Sequence, residues 1–175
     1  MQDILERAQK IRLVIFDVDG VLTDGRLILD DRGTEYKAFH SRDGHGMKML
    51  QETGVRIGII TGRSSEVVKF RMASLGIEHV YQGQKDKLVA YHDLKTKLAL
   101  PAEHIAYVGD DVVDLPVMRQ VGLAIAVADA HDWVKKHAHW QTPQPGGHGA
   151  ARDVCELIME AQQQLTSKLG EYLGT

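Results

Sequence analysis

The stretch Ile11-Arg-Leu-Val-Ile-Phe-Asp17-Val-Asp19-Gly-Val-Leu-Thr-Asp24 decides which fold this chain can adopt. Its first half is apolar with almost no alternation, which is typical of a strand covered on both faces in a parallel sheet. The apolar run ends at two carboxylates, and parallel sheets bind their ligands at the carboxyl ends of the strands. Because side chains alternate along a strand, Asp17 and Asp19 point to the same side and can share a hard cation such as Mg²⁺. An acidic turn without function is common, but it rarely follows so apolar a run.

Two further groups of residues could bind a phosphate. The apolar run 55–60 leads into Thr61-Gly62-Arg63, where a hydroxyl and backbone amides are donors that suit a phosphate oxygen and not a cation. Lys87 lies near the start of a predicted helix, and a positive charge there is unfavourable unless an anion is close. Each signal alone is weak, because Thr-Gly is also a capping sequence and a surface lysine is usually just solvated.

A third apolar run, 105–108, ends at Gly109-Asp110-Asp111, and Asp114 follows. Parallel strands end at the same edge of a sheet, so these carboxylates and those of the first strand would form an oxygen cage for Mg²⁺. We predict that Asp110 is the metal ligand. Asp111 and Asp114 are predicted either to support the metal ligands without touching the metal or to cap the next helix. Helix capping explains one of these aspartates, but hardly all three.

Residues 17–24, residues 61–63, Lys87 and residues 109–114, taken in this order along the chain, resemble the four sequence motifs of the haloacid dehalogenase superfamily. The resemblance implies that Asp17 is the nucleophile, that Asp19 is the general acid and base, and that Lys87 bridges nucleophile and phosphate. It places Thr61 beside the phosphate, and Mg²⁺ between Asp17, Asp19 and Asp110. The second aspartate of the first motif favours a phosphatase, because a phosphomonoester has a leaving oxygen to protonate and a dehalogenase substrate has none.

The remaining pattern alternates strands and helices. It predicts a three-layer α/β/α sandwich around a mainly parallel, Rossmann-like sheet, in one domain spanning residues 1–175. Helices are predicted over residues 43–53, with an aspartate cap, and over 65–75, 85–100, 115–121 and 149–169. Residues 142–149 are the only linker-like stretch, and they predict a flexible glycine-rich tail that leads into the last helix.

No large cap domain interrupts the chain. Residues 24–40 instead predict an inserted β-hairpin around the turn 30–33. Leu27, Ile28 and Leu29 are consecutive and apolar, so both faces of the hairpin need covering. A two-stranded ribbon cannot bury two faces by itself. We therefore expect a closed homo-oligomer, with a tetramer as its form.

The hairpin, the loop Arg42-Asp43-Gly44 and the segment 146–152 resemble the 3-deoxy-D-manno-octulosonate 8-phosphate phosphatases, over nearly the whole chain. In that family the hairpins of four subunits form a barrel, and the glycine-rich tail can reach a neighbour's active site. The resemblance implies an aspartyl-phosphate intermediate, a role in making a lipopolysaccharide precursor, and Arg152 as part of a lid over a neighbour's site. Its substrate-binding positions are His40, Ser41, Arg42, Asp43, Gly44, Lys48, Arg63, Arg71 and Lys87. The chain departs from the family at His40-Ser41, where asparagine-valine is usual, and at Lys48, where arginine is usual.

The residues themselves also indicate the charge of the substrate. Arg42, Lys48, Arg63 and Arg71 add more positive charge near the phosphate motifs than one phosphate needs. This favours a second anionic group such as a carboxylate. We therefore expect a phosphorylated sugar acid as the small-molecule partner.

Composition limits the remaining choices. At 175 residues, 43% hydrophobic and 26% charged, the chain fits one ordinary globular domain. Its net charge of −3 gives no broad basic field for nucleic acid or an anionic membrane. Cys155 is the single cysteine and cannot form an internal disulfide, and the sequence shows neither a leader nor an apolar run of about 20 residues. We expect a cytoplasmic protein without a membrane or nucleic-acid partner.

Three alternatives stay open on the residues alone. The substrate could be another sugar acid phosphate, of the sialic-acid type. A signalling receiver domain also uses aspartates, Mg²⁺, a threonine and a lysine, but its acceptor aspartate follows a middle strand, where this chain has Thr61. A non-catalytic, oligomerising phosphatase-like domain would not need every catalytic aspartate, and this chain keeps them all.

Overall fold

The computed structural model describes residues 1–174 and has a six-stranded parallel sheet at its centre. The strands in that range are β1 (Leu13–Phe16), β2 (Ile28–Leu29), β3 (Glu35–Tyr36), β4 (Arg56–Ile60), β5 (His79–Tyr81), β6 (Ile105–Gly109), β7 (Leu123–Ala126) and β8 (Trp140–Gln141). The large sheet has the order β5-β4-β1-β6-β7-β8, and every neighbouring pair in it is parallel. β2 and β3 form a separate antiparallel pair.

Helices cover the sheet. They are α1 (Gln2–Lys10), α2 (Ser41–Glu52), α3 (Glu66–Ser74), α4 (Lys87–Lys97), α5 (Leu115–Met118), α6 (Asp132–His137), α7 (Ala150–Ala161) and α8 (Leu165–Leu173). α1 and α2 both pack against α7, whereas α4 and α5 form a second group that contacts β4 and β6. This architecture confirms the predicted α/β sandwich with a mainly parallel sheet. No helix within residues 1–174 is long and apolar enough to cross a membrane.

The central position of β1 follows from the burial of its side chains. All four residues of Leu13–Phe16 are fully buried, because β4 and β6 flank the strand and helices cover the sheet. A strand with two covered faces has no polar side, which is why its sequence lacks alternation. The amide of Asp17 continues the ladder by donating to the carbonyl of Val108 at 3.1 Å. The loop that carries the two aspartates therefore starts from the buried centre of the sheet.

The helices differ from the prediction at three places. α1 is not predicted from the sequence, since its two buried residues, Ile4 and Ala8, give only a short amphipathic signal. α2 begins at Ser41 with His40 as its N-cap. The predicted aspartate cap is therefore wrong, and Asp43 lies inside the first turn. The long helix predicted for residues 149–169 is two helices, α7 and α8, because Gln163 between them adopts a positive φ of 59°.

β2 and β3 form the expected hairpin, and one face of it is bare in the single chain. Leu27, Ile28, Leu29 and Tyr36 are each about half exposed. Large apolar side chains grouped on a small ribbon are typical of an interaction surface. The opposite face of β3 turns toward the carboxyl edge of the large sheet.

The glycine-rich segment 142–149 packs against the loop after β1. The amide of Gly147 donates to the carbonyl of Val21 at 2.9 Å. A Cβ on Gly146 would lie only 1.8 Å from the carbonyl oxygen of Gly20, so glycine permits this close approach. The sequence predicts a flexible tail here, whereas in the structure the segment is held against its own chain.

Candidate active site

The two aspartates of the first motif leave β1 on a tight turn. The carbonyl of Val18 accepts hydrogen bonds from three following amides, which closes the turn behind Asp17. Gly20 has a φ of 85°, which favours glycine, and a Cβ there would lie 2.1 Å from Oδ2 of Asp110. The glycine of the motif therefore lets the loop after β1 approach the aspartate that follows β6.

Lys87 links the first and the last of the acidic motifs. It is the first residue of α4, directly after the N-cap Asp86, and its side chain is buried. Its Nζ lies 2.6 Å from Oδ2 of Asp17 and 2.7 Å from Oδ1 of Asp114. Burial alone would lower the pKa of Lys87, but the carboxylates of Asp114 and Asp17 outweigh burial and the pKa is raised. These carboxylates are the anions that a buried lysine at a helix start requires.

Asp114 is fully buried and accepts four hydrogen bonds. Its Oδ1 accepts from Lys87 and from the hydroxyl of Tyr107, each at 2.7 Å. Its Oδ2 accepts from the amides of Asp110 and Asp111, at 3.0 and 3.2 Å, and Asp111 caps the short 3₁₀ helix that follows. Asp114 therefore shapes the loop after β6 and holds Lys87 in place. Tyr107 is not among the residues predicted from the sequence, where its only signal is a hydroxyl in an otherwise apolar strand.

Three carboxylates form a cluster beside Lys87. One oxygen each from Asp17, Asp110 and Asp114 lies within 4.8 Å of the others. Burial first, and neighbouring carboxylates second, raise the pKa of Asp110 to about 8 and that of Asp17 to about 6. So much buried negative charge favours a bound cation, and carboxylate oxygens are the ligands that Mg²⁺ prefers. The cluster fits a magnesium ion held by Asp17 and Asp110, since each oxygen of Asp114 already accepts two hydrogen bonds.

The carboxylate of Asp19 lies outside this cluster. Its Oδ1 contacts Nζ of Lys37, which also lies 2.8 Å from Oε1 of Glu35. The structure does not bring the Asp19 carboxylate together with Asp17 and Asp110, because Lys37 holds it toward the hairpin. Lys37 and Glu35 are not predicted from the sequence either. Their signal is a spacing of two residues at the end of β3, which puts both side chains on one side of the extended chain.

These residues open onto a cleft of about 500 Å³ at the carboxyl edge of the sheet. The predicted site residues that line it are Asp17, Asp19, Thr61, Arg63, Lys87, Asp110 and Asp111, and Lys85 joins them. Arg63 is about half exposed, and its Nη2 lies 3.3 Å from Oε1 of Glu35. The cleft thus combines carboxylates, three cations and a hydroxyl, which are the groups that phosphoryl transfer requires.

The sequence matches known phosphatases beyond these motifs. A family profile for haloacid dehalogenase-like hydrolases matches residues 73–152. A 3-deoxy-D-manno-octulosonate 8-phosphate phosphatase from Yersinia pestis is 49% identical over 168 residues, which is 96% of this chain and 90% of that protein. The chain belongs to the 3-deoxy-D-manno-octulosonate 8-phosphate phosphatase family. The resemblance carried by the motifs is thereby confirmed.

Solved structures of this family share the fold. The phosphatase from Moraxella catarrhalis, in complex with a magnesium ion, a phosphate ion and a KDO molecule, is 42% identical with a TM-score of 0.96, covering 98% of this chain and 99% of that chain. The cobalt-bound phosphatase from Haemophilus influenzae is 41% identical with a TM-score of 0.89, covering 91% and 94%. Members of this family therefore bind divalent metals, which agrees with the acidic cluster of this chain.

Most of the other substrate-binding positions implied by the family do not line the cleft of this chain. His40, Asp43, Gly44 and Arg71 line a separate cavity of about 10 Å³, and Ser41, Arg42 and Lys48 are exposed on α2. The guanidinium of Arg71 lies 5.8 Å from the centre of the Phe39 ring. Of the four cations expected to cluster around the phosphate, only Arg63 lines the cleft in the described part of the chain.

Arg152, the residue expected to close over a neighbour's site, contacts its own chain in the structure. Its Nε lies 2.5 Å from Oε1 of Glu156, and its amide donates to Oδ1 of Asp43 at 2.9 Å. Burial, as the largest effect, raises the pKa of Asp43. The side chain of Arg152 also lies against Gly46, where a Cβ would be 2.6 Å from Cδ of the arginine. In a single chain, Arg152 therefore ties α7 to α2, and closure over a neighbour stays a prediction.

Proposed function

We propose that the protein is a Mg²⁺-dependent cytoplasmic phosphatase that releases phosphate from 3-deoxy-D-manno-octulosonate 8-phosphate, on the route to a lipopolysaccharide precursor. The observation that carries the proposal is the pairing of Asp17 with Lys87 in a cleft that also holds Asp110 and Arg63. The Yersinia pestis relative, which is named for this activity, supports the choice of substrate.

In the first step a carboxylate oxygen of Asp17 attacks the phosphorus atom, and the bond between phosphorus and the sugar oxygen breaks. The electron pair of that bond goes to the sugar oxygen, which takes a proton from the carboxyl group of Asp19. Oδ2 of Asp17 pairs with Lys87, and Oδ1 accepts from the amide of Val18 at 2.6 Å. Two donors therefore orient the nucleophile before the substrate arrives.

In the second step water hydrolyses the aspartyl-phosphate. The carboxylate of Asp19 takes a proton from the water, whose oxygen attacks phosphorus, and the bond between phosphorus and Asp17 breaks. Its electron pair returns to the Asp17 carboxylate, inorganic phosphate leaves, and Asp19 is protonated again. Lys87, Arg63 and the hydroxyl of Thr61 stabilise charge on the phosphoryl oxygens in both steps.

Asp17 and Asp110 would hold the metal ion in this cleft. When bound, Mg²⁺ supplies positive charge that stabilises the phosphoryl oxygens in the transition state. The third predicted ligand, Asp19, stays a proposal, because its carboxylate lies outside the cluster and its Oδ1 pairs with Lys37.

We propose that the sugar-acid part of the substrate binds to the remaining family positions, which lie on α2 and α3. Most of these positions lie outside the cleft of their own chain. Two buried polar atoms among them, Nδ1 of His40 and Oδ2 of Asp43, have no hydrogen-bond partner within the described chain. Assembly of subunits would bring this surface to a neighbour's cleft, where Lys48, Arg71 and Arg152 would meet the second anionic group.

We propose a homotetramer built on the hairpin. The support is the bare apolar face of Leu27, Ile28, Leu29 and Tyr36. Covering these residues would stabilise the assembly by roughly 1 kcal/mol for each side chain, since each is already half buried. Closed point-group symmetry would leave none of these faces exposed.

Phosphate release from a panel of phosphorylated sugar acids, measured with Mg²⁺, tests the proposed function. We expect the highest kcat/KM for 3-deoxy-D-manno-octulosonate 8-phosphate, and no turnover by Asp17→Asn at a nearly unchanged melting temperature, because an amide is not a nucleophile. A higher kcat/KM for a phosphate of the sialic-acid type would reassign the substrate. Absence of release from every member of the panel would indicate a non-catalytic oligomerising domain.

A further inference from the structure

Lys37 has a buried side chain that no step of the proposed reaction uses. Its side chain is 1% exposed, and lysines are almost never buried unless they are paired. It follows β3, where alternation turns Glu35 and Lys37 inward and leaves Tyr36 outward. The hairpin thus directs a charged pair toward the cleft from the side opposite to its apolar face.

The ammonium group of Lys37 joins the hairpin to the first motif. Its Nζ contacts Oδ1 of Asp19 and lies 2.8 Å from Oε1 of Glu35, which is itself 3.3 Å from Nη2 of Arg63. Charges therefore alternate in sign from Asp19 through Lys37 and Glu35 to Arg63. Among residues 1–174, Lys37 is the only residue that hydrogen-bonds the carboxylate of Asp19.

We propose that Lys37 is a positioning residue for Asp19. It holds the carboxyl group that gives a proton to the leaving oxygen and later takes one from water, and it keeps its own proton throughout. Lys87 and the Val18 amide fix Asp17, whereas Asp19 has no backbone donor in the described chain. Proton transfer requires the two atoms within hydrogen-bond reach, and a freely rotating carboxyl group spends only part of its time there. This inference rests on the proposed phosphatase mechanism.

Glu35 has a supporting part in this arrangement. Its carboxylate offsets the charge of Lys37, so the pair orients Asp19 without adding net charge beside it. Its second contact, to Arg63, fixes Glu35 against the loop after β4. The hairpin is therefore held at two points of the cleft, which gives Lys37 a defined position.

Lys37→Met, which keeps the length of the side chain and removes its charge, separates the two steps. p-Nitrophenolate departs without a proton, so the first step on p-nitrophenyl phosphate should keep its rate and give a burst of one p-nitrophenolate for each subunit. The second step needs Asp19, so turnover after the burst should fall by roughly 100-fold, within the range of acid–base catalysis.

With 3-deoxy-D-manno-octulosonate 8-phosphate both steps need Asp19. There we expect no burst and a similar fall in kcat, with KM changed by less than about threefold.

Two variants calibrate this experiment. Asp19→Asn is the reference for loss of the acid and base, and it should show the same pattern of burst and turnover as Lys37→Met. Arg32→Met is the matched control on the same hairpin, because the side chain of Arg32 is 88% exposed and pairs with Asp30 at the turn. Its rates should equal those of the unmodified protein.

Three results would overturn the role of Lys37. Equal losses of burst and turnover would indicate a structural role, a rise in KM with kcat unchanged would indicate a substrate contact, and unmodified rates would show that Asp19 needs no help. If Lys37→Met does not fold, Lys37→Arg keeps the charge but displaces it, and the same selective loss of turnover is expected. Unmodified rates for Lys37→Arg would then also overturn the proposal. Failure of the unmodified protein to hydrolyse either substrate would instead refute the proposed function itself.

Discussion

Replacing Asp110 by asparagine should stabilise the metal-free protein and abolish its response to Mg²⁺. Burial, and then the carboxylates of Asp114 and Asp17, raises the pKa of Asp110 from 3.8 to about 8. A carboxyl group whose pKa is higher in the folded than in the unfolded protein destabilises the fold once it ionises. The penalty is absent below pH 3.8, grows as the pH rises, and is complete above about pH 8. Asparagine carries no such penalty.

The size of the effect follows from the pKa. The rise from 3.8 to about 8 corresponds to roughly 6 kcal/mol as an upper limit, which solvent in the open cleft reduces to about 2 to 3 kcal/mol. For a domain of this length, 1 kcal/mol shifts the melting temperature by about 2 to 4 °C. Metal-free Asp110→Asn should therefore melt roughly 5 to 10 °C above the unmodified protein at about pH 8.5. Mg²⁺ at about 100 times its Kd adds about 2.7 kcal/mol to the unmodified protein, a similar gain.

Thermal unfolding with and without Mg²⁺, at about pH 5.5 and about pH 8.5, measures both effects. In the unmodified protein the gain from Mg²⁺ should grow with pH, because the metal competes with protons for the carboxylates. Asp132→Asn, which changes a side chain that is 86% exposed, is the control and should behave like the unmodified protein. A full Mg²⁺ gain in Asp110→Asn would show that Asp110 is not a ligand. A metal-free variant that melts below the unmodified protein at high pH would refute the charge reasoning.

Three further changes test separate parts of the molecule. Replacing Leu27 and Leu29 by glutamate should give monomers in native mass measurements, because the apolar face of the hairpin would become charged; an unmodified protein that is itself monomeric at micromolar concentration would contradict the hairpin assembly. Arg152→Ala should weaken transition-state binding of the sugar acid phosphate by about 1 to 3 kcal/mol and affect p-nitrophenyl phosphate much less. Equal losses on both substrates would mean that Arg152 supports the fold. Gly146→Ala should lower the free energy of unfolding by about 2 kcal/mol or more, because its Cβ would overlap the Gly20 carbonyl; an unchanged melting temperature would show that the contact is dispensable.

The sheet and the ends of its strands could be predicted because both depend on local pattern. Leu13–Phe16 is fully buried on both faces, and its uninterrupted apolar composition is enough to predict this. Parallel strands end at one edge, so Asp17, Asp110 and Thr61 could be placed near one another without knowledge of the packing. In the structure all three residues line the same cleft.

The direction of the Asp19 side chain could not be predicted, because it depends on how the hairpin folds back. Lys37 is 18 residues away along the chain, and its pairing with Asp19 is decided by the register of β2 and β3. The same holds for the contact between Glu35 on β3 and Arg63 in the loop after β4. Contacts of this kind follow from tertiary packing and leave no periodic signal.

The glycines of residues 146–149 show a different limit of sequence reasoning. A run of glycines indicates freedom of the backbone, and it indicates equally a place where another backbone comes close. The structure shows that close approach is the reason at Gly146, because a Cβ there would lie 1.8 Å from the carbonyl oxygen of Gly20. The break between α7 and α8 is similar, since nothing in the composition around Gln163 requires its positive φ.

The central claim, that Asp17 carries the phosphoryl group, is tested most directly by trapping the intermediate. Asp19→Asn, in which hydrolysis of the intermediate is slowed, is mixed with p-nitrophenyl phosphate and Mg²⁺, quenched in acid during the burst, digested and examined by mass spectrometry. We expect one phosphoryl group on the peptide that contains Asp17, in an amount equal to the burst, and none when Asp17 is also replaced by asparagine. A burst with no phosphoryl group on Asp17, or with the group on another residue, would contradict this mechanism.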